Sequence, residues 1–125
     1  MKSVLIDSDI LIEVNRARDT AILARWDQLS RGTTPLLCSP VTVAELRHGA
    51  RQQELGALNA VFAAIPSIPI DFNIGIRAGE YLGQYAKSHN VELGDALIAA
   101  TAALHNLSLW TRNRKHYPMK DITFY

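Results

Sequence analysis

Asp7, Glu45 and Asp95 are the residues of this chain whose types and settings suit chemistry. Asp7 ends the apolar run Val4-Leu5-Ile6. Glu45 is flanked by Val43, Ala44 and Leu46. Asp95 stands before the small apolar run from Ala96 to Leu104. The other acids mostly lie in polar stretches. A charge in an apolar segment is costly unless it is paired or binds a metal. Carboxylates crowded together repel, and one protonates unless a cation lies between them. Hard oxygen donors without His or Cys partners suit Mg²⁺ or Mn²⁺. Zinc fits poorly, because His48, His89, His105 and His116 show no ligand spacing. A divalent ion held by carboxylates lowers the pKa of a water, polarises a phosphate and stabilises the leaving oxygen. Ser8 can add a hydroxyl to such a site. Plainer roles exist: Asp7 or Ser8 can cap a following helix, and Asp95 is a preferred residue at a helix N-terminus.

Convergence of these acids depends on the elements that carry them. Val4–Ile6 reads as a strand buried on both faces, which belongs inside a parallel sheet. Ligands of open α/β sheets sit beyond the carboxyl ends of the strands, where Asp7 falls. A short helix follows from near Asp9 to about Arg16. A second runs through Ile22, Trp26 and Leu29, capped by Asp19 or Thr20 and ended at Gly32. Pro35 to Cys38 reads as a second buried strand. Ser39-Pro40 places a capping hydroxyl and an N1 proline before the helix that carries Glu45. Further helices are expected from about Gln52 to Ala64 and from Asn73 to about Ser88. Between them, Ile68-Pro69-Ile70 reads as an edge strand. The apolar helix 96–104, a strand at Leu107–Thr111 and an edge strand at Asp121–Phe124 complete the pattern. Alternating strands and helices predict an α/β fold, a three-layer α/β/α sandwich with a mainly parallel sheet of four to five strands.

The 125 residues make one domain, 1–125, with 48% apolar and 20% charged residues and a formal net charge of +1. That charge excludes nucleic-acid binding by bulk electrostatics, so any such binding needs a local cationic patch or bound metal. Arg112-Asn113-Arg114-Lys115-His116 is one such patch, and Arg47 and Arg51 follow Glu45 closely. The lone cysteine, Cys38, sits among apolar residues and reads as a small buried hydrophobe. No signal peptide is visible, and no apolar run nears the roughly 20 residues that span a bilayer. The expectation is a cytoplasmic protein with no membrane partner.

Four stretches in order add a resemblance. Ile6-Asp-Ser-Asp-Ile-Leu-Ile12 resembles the opening motif of the PIN-domain ribonucleases. Ser39-Pro-Val-Thr-Val-Ala-Glu45-Leu-Arg-His-Gly49 resembles their second motif, and Gly94-Asp95-Ala-Leu-Ile-Ala-Ala-Thr-Ala102 their third. Leu109-Trp-Thr111-Arg-Asn113-Arg-Lys-His116-Tyr117 resembles the fourth, in the manner of VapC toxins. The resemblance implies a PIN-like fold and a metal-dependent endoribonuclease cleaving tRNA, rRNA or mRNA as the toxin of a toxin–antitoxin pair. It implies Asp7, Glu45 and Asp95 as Mg²⁺ (or Mn²⁺) ligands, with Ser8, Asp9 and Thr111 as hydrogen-bonding partners around them. Asn113 and His116 stand where many members carry an acid, so Asn113 is expected to orient a water without adding charge. Arg112, Arg114, Lys115, His116 and Arg47 are expected to contact RNA. The implied partners are an antitoxin, for which the Trp26 face is a candidate surface, and a second copy of the chain.

Rival readings share these residues. A haloacid-dehalogenase-type phosphatase also carries Asp-x-Asp after a strand, but it expects Thr or Val where Leu11 stands and a further acid where Ala99 and Ala100 stand. A catalytically weak PIN-like binding protein is supported only by the missing fourth acid. A phosphoreceiver domain is excluded, since no Asp occurs between Asp27 and Asp71.

Overall fold

A computed structural model of the chain describes residues 2–125. Its centre is strand β1, Val4–Ile6, with all three side chains buried. β2 (Leu36–Leu37) pairs with it on one side and β3 (Ser108–Trp110) on the other, and β4 (Thr123–Phe124) closes the outer edge. The order is β2-β1-β3-β4, every pairing is parallel, and Val4 lies opposite both Leu36 and Ser108. Parallel neighbours need crossovers, and helices supply them. They are α1 (Ser8–Arg16), α2 (Thr20–Arg31), α3 (Pro40–Gly49), α4 (Leu55–Ala64), α5 (Phe72–His89) and α6 (Leu93–Leu104).

Alternation along the strands splits the interior into two layers. Leu5 and Leu109 face a cluster with Ile74, Ala78 and Tyr81 of α5 and Ala96, Ala99 and Ala100 of α6. Val4, Ile6 and Trp110 face the other side, against Ile10, Leu11, Ile22, Leu46 and Leu58. This is the expected three-layer sandwich. Small residues let α6 lie close to the sheet, which explains its apolar circumference. Trp26 is half-buried against the second layer and belongs to its packing. Cys38 is fully buried, as expected, and burial pushes its thiol up to about 11.

Local chemistry sets most boundaries as read. Asp19 caps α2 by accepting from the N–H groups of Ala21 and Ile22, and Gly32 closes it. Ser39 caps α3 by accepting from Val41 N, with Pro40 in the first turn. The strands are shorter at their ends than read, and three further differences matter. Residues 68–70 form no strand; a single parallel bridge links Cys38 and Ser67, because Pro66 and Pro69 lack the donors that a ladder needs. Gln52–Glu54 forms a separate 3₁₀ turn ahead of α4. α6 begins at Leu93, so Asp95 lies inside its first turn and Glu92 is the capping residue.

Candidate active site

Strand direction brings the carboxyl ends of β1 and β3 together. The Asp7 N–H donates to the carbonyl of Trp110 at 3.0 Å, so the residue after β1 is held by the last residue of β3. Asp7 also caps α1: its Oδ1 accepts from Ser8 N at 2.8 Å. Its Oδ2 accepts from Thr111 Oγ1 and from Tyr117 Oη, each at 2.8 Å. Asp7 is 8% exposed, and three donors fix both of its oxygens. The capping and functional readings of Asp7 are therefore compatible.

Ser8 turns its hydroxyl toward α3. Its Oγ donates to Glu45 Oε1 at 2.7 Å and shares a hydrogen bond with Thr42 Oγ1 at 3.1 Å. Glu45 is exposed rather than enclosed, while its neighbour Leu46 turns into the core. The head of α6 comes close to the same helix: a Cβ at Gly94 would lie 3.3 Å from Val41 Cγ1, so glycine permits the approach that brings Asp95 toward the site. Asp95 Oδ2 accepts from Glu92 N at 3.3 Å. Its pKa is raised by partial burial and by the charge of Asp7, and lowered by Glu92 N–H and by nearby His116.

Asp9 holds the loop after β3. Its Oδ2 accepts from Arg112 N at 2.9 Å, Asn113 Nδ2 at 3.2 Å and Thr111 Oγ1 at 3.4 Å. Its Oδ1 is buried and has no hydrogen-bond partner among the described residues. Burial, then the charge of Asp7, raise the Asp9 pKa to about 6 despite those donors. Tyr117 feels Asp7, Asp95 and Asp9 together, and burial among these anions holds its phenol protonated far above the usual range.

The predicted cations divide. Arg112 pairs with Glu13 at 3.1 Å. Arg114 turns to the sheet edge, over the Phe124 ring at 4.8 Å and toward the Tyr125 carbonyl. Lys115, His116 and Arg47 are exposed. Asn113 does not simply face solvent: its amide nitrogen is spent on Asp9. Two site residues were absent from the sequence reading, Tyr117 and Glu13. A tyrosine closing a cationic run, in an otherwise packed segment, needs a partner for its hydroxyl. Glu13 follows Asp9 at i+4 and so shares its helix face.

Among the described residues, no three His, Cys, Asp or Glu side chains gather closely enough to hold an ion as they stand. The donor chemistry nevertheless fits a hard cation. The acids offer oxygen alone, Asp9 keeps an orphaned carboxylate oxygen, and the pKa values of Asp9 and Asp95 are raised in part by neighbouring negative charge. A cation relieves each of these costs.

The sandwich and its acids at the strand ends define the class. Residues 4–122 match the PIN domain, and the chain belongs to the PIN-domain family. Within it, the chain is 40% identical over 121 residues to Ribonuclease VapC10 of Mycobacterium tuberculosis, covering 93% of this chain and 86% of that protein. It is 32% identical over 116 residues to Ribonuclease VapC19 of the same organism, covering 92% of each. A toxin-antitoxin complex from Klebsiella pneumoniae contains a chain of similar structure, with 25% identity, a TM-score of 0.77 and coverage of 97% and 96%. The fold also matches DNA-bound VapBC from Salmonella typhimurium at a TM-score of 0.83 and 20% identity, covering 100% and 98%. Among the described residues, no helix is long and apolar enough to cross a membrane.

Proposed function

We propose that this protein is a metal-dependent endoribonuclease, the toxin of a cytoplasmic toxin–antitoxin pair. The observation that carries this reading is Asp7: an almost buried carboxylate at the end of the central strand, fixed by three donors and within electrostatic reach of Asp9 and Asp95. The ribonuclease relatives support the reaction, and the toxin–antitoxin neighbours support an antitoxin partner.

Asp7, Glu45 and Asp95 would hold Mg²⁺ or Mn²⁺. When bound, the ion supplies Lewis acidity toward the phosphate and a water of lowered pKa. The chain's own residues prepare that site. Thr111 and Tyr117 orient Asp7, and Ser8 restrains Glu45. Asp9 holds the Arg112 backbone N–H and the Asn113 amide nitrogen, and Thr111 holds the Asn113 backbone N–H, so Asn113 presents its side-chain oxygen from a defined place. Arg112, Lys115 and His116 offset the acids and admit a polyanion. Arg47 stays a proposed RNA contact on the helix of Glu45, although its place two residues further along puts it on another face of that helix; Arg114 serves the sheet edge. A second copy of the chain is a further proposed partner.

The test is Asp7→Asn, which keeps shape and cap while removing one charge. Cleavage of RNA with Mg²⁺ is expected to fall by about a hundredfold or more, with a cooperative but lowered melting transition, since asparagine accepts at only one of the two oxygen positions. Wild-type cleavage rates in Asp7→Asn would refute the assignment. Rapid phosphomonoester turnover with RNA left intact would favour the phosphatase reading.

A further inference from the structure

Among the described residues, Glu13 is a strongly buried acid that the proposed chemistry does not use. Its side chain is 10% exposed, and a single oxygen, Oε1, binds two guanidinium groups: Arg18 at 2.7 Å and Arg112 at 3.1 Å. The arginines themselves remain 60% and 47% exposed. One anion beneath the surface thus holds two cations side by side with their outer N–H groups in solvent. Arg112 is simultaneously anchored through its backbone to Asp9, beside Asp7. Arg18 lines a cleft with Asn15, Arg16, Arg51 and Glu54. A neighbouring cleft shares Asn15, Arg16 and Glu54 and reaches Glu45.

We infer that Arg112, Arg18, Arg16 and Arg51 form a track for the phosphates of single-stranded RNA, with Glu13 as its positioning residue. The inference rests on the nuclease reading and names how its substrate is held. Planar guanidinium forks suit phosphate oxygens, and preorganisation by Glu13 removes part of the ordering cost of binding. Four arginines face Glu13, Glu54 and, in the neighbouring cleft, Glu45; Arg51 is paired with Glu54 at 3.2 Å but 71% exposed, so an excess of one cation remains on a chain of net charge +1. The cationic excess is therefore local. It runs from Arg112, beside the acid cluster, along the C-terminal end of α1, and gives a strand leaving Asp7 one path of positive charge to follow. Neutral base-edge readers do not line the clefts in number, so the track would bind backbone rather than sequence.

The test uses full-length Asp7→Asn protein, so that binding is read without cleavage, and a labelled oligouridylate of about ten nucleotides. Affinity is measured across a salt series. Each lost phosphate contact lowers the slope of log affinity against log salt by about 0.7 for a single strand. Arg18→Ala and Arg51→Ala are each expected to lower that slope accordingly and to weaken binding about three- to tenfold at low salt. Glu13→Gln separates positioning from bulk charge. It makes the protein more positive, so bulk electrostatics alone would tighten binding, whereas loss of the clamp weakens it. Arg18→Lys keeps the charge but not the fork, and is expected to bind more weakly than the parent. Unfolding transitions are recorded for each variant. Should Glu13→Gln fail to fold, Arg18→Ala and Arg51→Ala still decide the matter.

Unchanged slopes in both arginine-to-alanine variants would overturn the track. Displacement of the RNA by oligoglutamate at equal charge concentration would overturn it too, assigning the clefts to an acidic peptide. Failure of the nuclease reading is seen separately, as absence of RNA cleavage by wild-type protein with Mg²⁺.

Discussion

Replacing Asp9 by asparagine is expected to stabilise the metal-free protein. Asp9 directs three donors onto Oδ2 and leaves Oδ1 buried without a partner among the described residues. An asparagine can keep its carbonyl oxygen where those donors converge, while its amide nitrogen finds no acceptor at the buried position and offsets part of the gain. The change removes a charge that burial and Asp7 both oppose. The size follows from the shift. The carboxyl titrates at about 6 in the folded protein against 3.8 for its ordinary value. Two pKa units correspond to about 3 kcal/mol, which partial solvent exposure reduces to about 1–2 kcal/mol. The sign depends on pH. Because the folded pKa is raised, the folded protein keeps a proton that the unfolded chain has already lost between about 4 and 6. Wild-type stability therefore falls as pH rises through that window and levels off above it. The introduced amide does not titrate. The variant's advantage should be small near pH 4, grow to its full value by about pH 7, and persist above it. Urea unfolding in EDTA at several pH values measures this directly. A variant less stable than wild type at pH 7, or an advantage equally large at pH 4, would refute the reasoning.

Three further outcomes follow from the same contacts. Tyr117→Phe removes one donor from Asp7 Oδ2 while keeping the ring; stability should fall by about 1–2 kcal/mol, and RNA cleavage should drop through kcat more than KM, as single-turnover kinetics would reveal. Asn113→Asp sets a carboxylate where the amide nitrogen now lies 3.2 Å from Asp9; without metal the protein should lose about 1–2 kcal/mol, and Mg²⁺ should raise its melting temperature more than that of wild type. Ser8→Ala frees Glu45 from its 2.7 Å donor; a higher Mg²⁺ concentration for half-maximal cleavage is expected, with little change at saturating ion.

Capping chemistry made much of the frame legible. Asp19 and Ser39-Pro40 fix helix starts through bonds to residues two or three positions away, and such bonds are written in local sequence. The buried run Val4–Ile6 announced the central strand for the same reason. The head of α6 was less readable, because Glu92 and Asp95 both have the chemistry of a cap and only the folded chain chooses between them. Ile68–Ile70 looked extended, but pairing depends on donors that the prolines withhold. At the site, the acids were recognisable by their apolar settings. Of their distant partners, Thr111 was reached only through the family resemblance and Tyr117 not at all; they bind Asp7 across separations of 104 and 110 residues. Local spacing carries no record of such contacts. Glu45 illustrates the converse, since the apolar sequence around it made it look enclosed while its own face of the helix is open.

Those long separations have a consequence for biosynthesis. Ribosomes deliver the β1 end first, while the strand that borders Asp7 and the tyrosine that locks it are made more than a hundred residues later. Until then Asp7 has neither its Trp110 carbonyl partner nor two of its three carboxylate donors. A nascent chain still lacking residue 117 therefore has an incompletely held Asp7, and the last of its side-chain donors arrives only when that tyrosine has emerged.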